Sequence, residues 1–468
     1  GEVCIEKVRP MEDRVSIGMC LYFGLLYNSG GNCQSYYGKA NFEETAAMAG
    51  VTGQDIVRCK ANLMDMKISV ISSHKISVRA VVLVTVSAEE IYDREVIKKI
   101  EMDNVRDERL EVRMMKLIAN RKDTFRIRES VNINQGMSNI GEIIWQELRV
   151  KDLCFTPADG RIDVKGNLSF FVIYQGENGG ELNYYDNVVP FSGSLDISNG
   201  RQEDVYDINI VSCEKSLISR NDGNGETRIF DGEIIMSLDI CGYRNEDVSL
   251  LTDIYAPGYE ITPKTEKLEY ERLVENKVVD IDINERIKNE DGGKIIYTCG
   301  DVIVDEIIQK DNKVDIEGTI SVQIMMEDKE AMPPITVSHH DIPFSYQAGM
   351  DKYEKDSELC GKVNNISLYS KRISDKEISV NGTIKMEIMA KSTTTTPVVI
   401  NADVEKVPKE KLKNIPGITG YIVKEGDTLW NIAKRFYTTA DSIMEANNLE
   451  NDMIYPGMKL IILKLYCF

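Results

Sequence analysis

Few residue types in this chain have the spacing that chemistry requires. Histidine occurs three times, as His74, His339 and His340. An adjacent His-His pair can ligate a metal, but the sequence sets no third ligand beside it, and a solvated surface pair on the run toward Phe344 is the plainer reading. With so few histidines, a Ser-His-Asp or Cys-His arrangement has hardly any candidate members. Asn221-Asp222-Gly223-Asn224-Gly225-Glu226 looks at first like a calcium loop. Counted from Asp222, however, the sixth position is Thr227 rather than Gly and the twelfth is Glu233, so a hairpin turn accounts for it better. No acid pair for glycoside hydrolysis stands out among 76 Asp and Glu residues. A Gly-x-x-x-x-Gly-Lys phosphate loop is absent. The 10 cysteines, from Cys4 to Cys467, include no Cys-x-x-Cys pair, which argues against a zinc ribbon or a thioredoxin-type site, and with no export-signal pattern reduced thiols are the simplest reading. The expectation is a protein that is not an enzyme, with no catalytic residue, metal or cofactor.

The stretch with a specific pattern is Gly417 to Leu463. Tyr421-Ile422-Val423 reads as a short strand, and Gly426-Asp427 as a turn. Asp427 stands where an N-cap belongs, ahead of Leu429, Ile432, Ala433 and Phe436 at helical spacing. Asp441 opens a second helix with Ile443, Met444 and Ala446, and Asn447-Asn448 stops it. Pro456-Gly457 is a turn, and Leu460 to Ile462 a second strand. This strand-helix-helix-strand order resembles a LysM module over its whole length. The resemblance implies a groove for acetylated amino-sugar chains between the loop after the first strand and the loop before the second. Carried over by position, the groove is Gly426, Asp427, Thr428 and Leu429 on one side, and Ile454, Tyr455, Pro456 and Gly457 on the other. Leu429, Trp430 and Ile432 could equally serve the core alone, Asp427 a cap alone and Gly457 a turn alone.

The elements that carry this module fall into a repeat. Arg14-Val15-Ser16-Ile17 leads to Leu21, Phe23, Leu25 and Tyr27; Arg161-Ile162-Asp163-Val164 to Leu168, Phe170, Val172 and Tyr174; Lys313-Val314-Asp315-Ile316 to Ile320, Val322, Ile324 and Met326. Apolar residues at every second position mark strands with one buried face. Phe42, Phe191 and Phe344 follow in turn-like contexts, 27, 29 and 30 residues after Val15, Ile162 and Val314. A third landmark runs from Ile76 into Val82, Val84 and Val86, from Phe230 into Met236 and Leu238, and from Ile378 into Ile384, Met386 and Ile388. Three diverged antiparallel β-sandwich-like domains are expected, at 1–118, 125–272 and 278–391. The first lacks a leading strand, as a copy shortened at its start would. Arg106–Lys116 and Glu266–Leu273 read as short connecting helices or exposed strands. Ser392-Thr393-Thr394-Thr395-Thr396-Pro397 opens a linker over 392–416, which predicts a tethered module at 417–463.

Asn139-Ile140-Gly141-Glu142-Ile143-Ile144-Trp145, Pro343-Phe344-Ser345 and Ala256-Pro257-Gly258-Tyr259 extend the resemblance to the SPOCS domain of Firmicutes spore-coat proteins, where tandem copies end in a LysM. That implies a coat or envelope assembly protein acting in the mother-cell cytoplasm at the forespore surface. Its implied partners are coat-layer proteins, the base-layer ATPase of the coat among them. The alternative is a cell-wall protein that binds peptidoglycan or a chitin-like glycan. The net charge of −20 disfavours general binding to nucleic acid or anionic lipid. No apolar run is long enough to span a bilayer, and the N-terminus has no export-signal pattern.

Overall fold

The alternating runs form the central strands of antiparallel sheets in a computed structural model, which describes residues 1–464 except 30–31, 73, 92, 290–291, 329–333, 353, 355–356, 409 and 412–413. Cys467 lies outside the described residues. The first copy comprises β1 (Glu2–Met11), β2 (Arg14–Ser29), β3 (Asn32–Ala47), β4 (Ile56–Ser72) and β5 (Lys75–Glu89). The second comprises β6 (Arg106–Asn132), β7 (Ile140–Ala158), β8 (Arg161–Gly176), β9 (Leu182–Asp196), β10 (Val205–Asn221) and β11 (Thr227–Tyr255). The third comprises β12 (Tyr259–Lys288), β13 (Lys294–Lys310), β14 (Lys313–Glu327), β15 (Ile335–Gly349), β16 (Glu358–Ser374) and β17 (Glu377–Lys406).

Each copy has one meander sheet, ordered β1-β2-β3, β7-β8-β9 or β13-β14-β15. Its second sheet is β10-β11-β6 in copy two, β16-β17-β12 in copy three, and β4-β5 alone in copy one. The cores lie between the two sheets. Ile162, Leu168 and Phe170 of β8 pack with Phe230, Ile234 and Met236 of β11. Val314, Ile320 and Val322 of β14 pack with Ile378, Ile384 and Met386 of β17. Side chains of this kind contribute about 1.5–3 kcal/mol each when fully buried, so period-two patterning is enough to fix which face turns inward.

The repeated phenylalanines lie within strands, not in turns. Phe191 stands opposite Gly166, and Phe344 opposite Gly318, in cross-strand register. A Cβ on either glycine would approach the facing ring to 2.7 Å. The glycine therefore makes room for the aromatic ring, a cross-strand pair that the spacing of about 30 residues encodes. In copy one Met19 occupies the glycine position opposite Phe42. Arg106–Lys116 and Glu266–Leu273 are strand throughout, as parts of β6 and β12. The Asn221–Glu226 segment is the β10–β11 hairpin turn, with Asp222 Oδ1 accepting from the amides of Asn224 and Glu226 at 2.8 and 3.1 Å.

The chain divides into two compact units. The first gathers Gly1–Tyr92, Lys116–Arg244 and Leu273–Ser392; the second gathers Asp93–Met115, Asn245–Arg272 and Thr393–Phe468. In the first unit the three copies touch through aromatic side chains. Trp145 stacks on Tyr37 with centroids 5.5 Å apart, and Phe171 on Tyr297 at 4.1 Å. They also share a polar junction built from equivalent positions, each 13 residues beyond the third landmark: Glu89, Tyr243 and Lys391. The Tyr243 hydroxyl donates to Glu89 Oε2 at 2.7 Å, and Lys391 Nζ donates to Glu89 Oε1 at 3.1 Å. Arg58 donates to Asp207 and to the Tyr243 hydroxyl. Burial pushes the Glu89 carboxyl up, but Lys391, the Tyr243 hydroxyl and Arg58 outweigh it and hold it below its usual range. Asp207 is likewise held low, against its burial, by Lys362 and Arg58.

The second unit overturns the linker expectation. β17 continues through the threonine run to Lys406, and Thr396, Val398 and Val399 are buried. Threonine and valine are β-branched and suit a pleated strand, so this run lacks the flexibility of a Gly/Ser linker. Val398 packs with Val112, Leu250 and Leu268, and Val399 with Leu251 and Ile254. β11 turns into β12 at Ala256–Gly258, where the Tyr259 amide donates to Ala256 O at 3.1 Å. No helix among the described residues is long and apolar enough to cross a membrane.

Candidate functional site

The C-terminal module comprises β18 (Ile418–Ile422), α1 (Leu429–Arg435), α2 (Ala440–Asn447) and β19 (Lys459–Leu463). β18 and β19 pair antiparallel from Ile418–Leu463 to Ile422–Lys459. Val423, Leu429, Ile432, Ala433, Ile443, Leu460 and Ile462 make its core. Thr428 rather than Asp427 caps α1, its hydroxyl accepting from the Asn431 amide at 3.1 Å. Asp427 closes the preceding turn instead, accepting from the Lys424 amide at 2.8 Å and the Tyr421 hydroxyl at 2.7 Å. These two bonds, the Lys424 amide first, hold its carboxyl below the usual range. α2 starts one residue before Asp441 and is capped by Thr439. It ends at Asn448, which adopts a left-handed conformation. Asn447 then ties the helix to β19, donating to Ile461 O at 2.7 Å and accepting from the Ile461 amide at 2.7 Å.

The two loops assigned to a groove are drawn together by backbone bonds. The Val423 amide donates to Met458 O at 2.9 Å, and the Gly457 amide donates to Val423 O at 2.8 Å. Gly426 and Gly457 both have positive φ, 84° and 89°, a conformation other residues adopt at a cost. Gly426, Thr428, Tyr455, Pro456 and Gly457 are exposed, Tyr455 at 64%. Asp427 is half-buried, and Ile454 packs against the core. Leu429 is 2% exposed, so its side chain belongs to the core and not to the groove rim. The exposed residues of the two turns thus present one aromatic side chain, that of Tyr455, beside backbone polar groups.

The α1 side of the module is occupied, which contradicts the expected tether. Trp430 Nε1 donates to Asp253 Oδ2 at 2.8 Å, and Lys434 Nζ reaches both Asp253 oxygens at 2.6 and 2.8 Å. The Tyr255 ring meets Trp430 edge-on, with centroids 4.6 Å apart, and joins the module's core. Burial raises the Asp253 carboxyl, but the bonds from Lys434 and Trp430 prevail and lower it. Asp253 and Tyr255 lie at the end of β11, beside the Ala256–Gly258 turn. The sequence reading missed this clamp. Its available signal was Trp430 itself, since an indole N–H on a core helix needs an acceptor.

The other candidates are dispersed. His339 is exposed, with Ser321 Oγ at 3.0 Å, while the adjacent His340 is half-buried on the opposite face of β15. Among the described residues, no three His, Cys, Asp or Glu side chains gather as a metal site requires. An open depression of about 520 Å³ is lined by Gly292, Gly293, Arg372, Asp375 and Lys376, two cations and one carboxylate.

Comparison with known proteins follows the same division. Residues 421–463 match the LysM domain. Residues 1–71 and 139–214 match the SipL, SPOCS domain. These segments hold the meander strands of copies one and two. The chain is 48% identical over 44 residues to a probable N-acetylmuramidase of Lactococcus lactis subsp. cremoris, covering 9% of this chain and 10% of that protein. It is 56% identical over 39 residues to the probable endopeptidase p60 of Listeria monocytogenes, covering 8% of each. A probable autolysin SsaALP of Staphylococcus aureus is 34% identical over 44 residues, 9% of this chain and 17% of that protein. The chain thus spans about a tenth of the length of the first two relatives, and the hydrolase matches are confined to the LysM. No solved structure matches.

Proposed function

We propose that this chain, which joins SPOCS-type β domains to a C-terminal LysM domain, is a non-enzymatic assembly protein of the spore coat or envelope. The β copies serve as the protein-interaction scaffold. The LysM is the docking module at the forespore surface, facing coat-layer proteins such as the base-layer ATPase. The observation that carries the reading is the two-sided use of the module. Its α1 face is held by Asp253 and Tyr255, while Gly426, Thr428, Tyr455, Pro456 and Gly457 stay exposed. Such a surface takes a sugar or a protein loop on the same physical terms, through backbone amides and one aromatic ring. Co-purification from sporulating cells, with the intact chain and with a Tyr455→Ala variant, tests the reading. Loss of partners in the variant supports it, and an unchanged set of partners refutes docking through the groove.

Peptidoglycan binding is the second reading. It is favoured by the 48% and 56% identity of this module to segments of proteins named as a probable muramidase and a probable endopeptidase. Retention of the full chain on purified cortex or cell wall, lost with Tyr455→Ala, would select it over a protein partner.

A further inference from the structure

Two cysteines of copy one stand directly opposite each other on adjacent strands, Cys4 of β1 and Cys20 of β2. Residues in antiparallel register point to the same face, with Cα atoms about 4.5 or 5.5 Å apart. Either spacing lies within the roughly 4.4–6.8 Å that a disulfide spans. Both residues are free thiols, 5% and 0% exposed. Their neighbours Ile5 and Met19 face the core of the copy, so by alternation the two thiols share the other side of the sheet. The repeat itself does not call for cysteine here. The equivalent opposed pairs are Lys151–Asn167 in copy two and Ile303–Thr319 in copy three. β1 is the edge strand of its meander sheet, as β7 and β13 are of theirs, and only β2 pairs with it there. An edge strand held by one neighbour is a place where a sheet opens first.

We infer that Cys4 and Cys20 are an oxidisable pair that closes into a cross-strand disulfide and latches the edge strand β1 to β2. The oxidant is a small-molecule disulfide of the oxidised-glutathione type. When β1 lifts from the sheet edge, the Cys4 thiol loses its proton and its sulfur attacks one sulfur of the oxidant. That releases one small thiolate and leaves a mixed disulfide on Cys4. As β1 pairs again, the register returns Cys20 to that sulfur, and the Cys20 thiolate displaces the second small thiolate. Two protein thiols thus give up two protons and two electrons, and one oxidant becomes two thiols. Burial raises the Cys4 thiol, against a backbone bond from Cys213 that lowers it, so the first attack waits on the opening of β1. Cys213 of β10 is the rival partner. Burial pushes its thiol up to about 12, and its cross-strand neighbour is Met236 rather than Cys4.

The test incubates the full chain with reduced or with oxidised glutathione and maps disulfides in the monomer fraction by mass spectrometry. A linked Cys4–Cys20 peptide should form in the wild type and in Cys213→Ala, and be absent from Cys4→Ala. Hydrogen exchange at the β1 amides should slow about tenfold in the oxidised wild type relative to the reduced protein. The same treatment should leave β1 exchange unchanged in Cys4→Ala. The wild-type map and its exchange decide the matter even where the variant does not fold. Cys4 and Cys20 both still open to alkylation after oxidation would overturn the proposal. So would a glutathione adduct that persists on either residue, a Cys4–Cys213 link, or β1 exchange that oxidation does not slow.

Discussion

Asp253 illustrates how one carboxylate can settle the placement of a module. It accepts from an indole and an ammonium at once, while Tyr255 two residues on packs against the same indole. Removing this half-buried acceptor leaves both donors without it, at about 2 kcal/mol. Asp253→Ala should therefore raise local opening around α1 by about thirtyfold in hydrogen exchange, with the β18–β19 pairing still protected. Equal protection in wild type and variant would show that the clamp does not hold the module. Groove residues were legible in sequence only as positions in a pattern. Structure separates them by exposure, assigning Leu429 to the core and the cap to Thr428, because adjacent residues at a helix start point in different directions and sequence alone does not say which.

At the scale of elements, period-two alternation identified the three central strands and their inward faces. It left Arg106–Lys116 open between helix and exposed strand, and it misread the threonine run of β17 as linker. Arg106–Lys116 and the threonine run of β17 are strand because their backbone bonds are completed by neighbours far along the chain, a condition that local composition does not record. The Phe–Gly pairs were visible as spacing but not as contact. Gly318 tests them: a Cβ there would lie 2.5 Å from Ile303 O and 2.7 Å from the Phe344 ring. Gly318→Ala should cost about 1–3 kcal/mol in urea unfolding. Gly420→Ala, where a Cβ meets nothing within 4 Å, should stay within about 0.5 kcal/mol. Similar losses at both positions would contradict the account of the repeat.

For the whole molecule, the junction of Glu89, Tyr243 and Lys391 joins equivalent points of three diverged copies, which no single-copy reading of the sequence reveals. Both its carboxylates, Glu89 and Asp207, are held below their ordinary range. Depressed carboxylates stabilise the fold fully above their unfolded values of about 4, and that contribution is lost as pH falls through the lower folded values. Denaturant unfolding followed from pH 6 to pH 3 should show stability declining with acid, and Glu89→Gln should make the decline shallower. Identical pH profiles would remove Glu89 from the junction's energetics.

The most direct test of the functional account is the position of a fluorescent fusion of the full chain in a sporulating cell, compared with its Tyr455→Ala variant. The account predicts that the intact protein gathers around the forespore and that the folded variant spreads through the mother cell. A fusion that stays diffuse throughout sporulation, or a variant that localises as the wild type does, would contradict it.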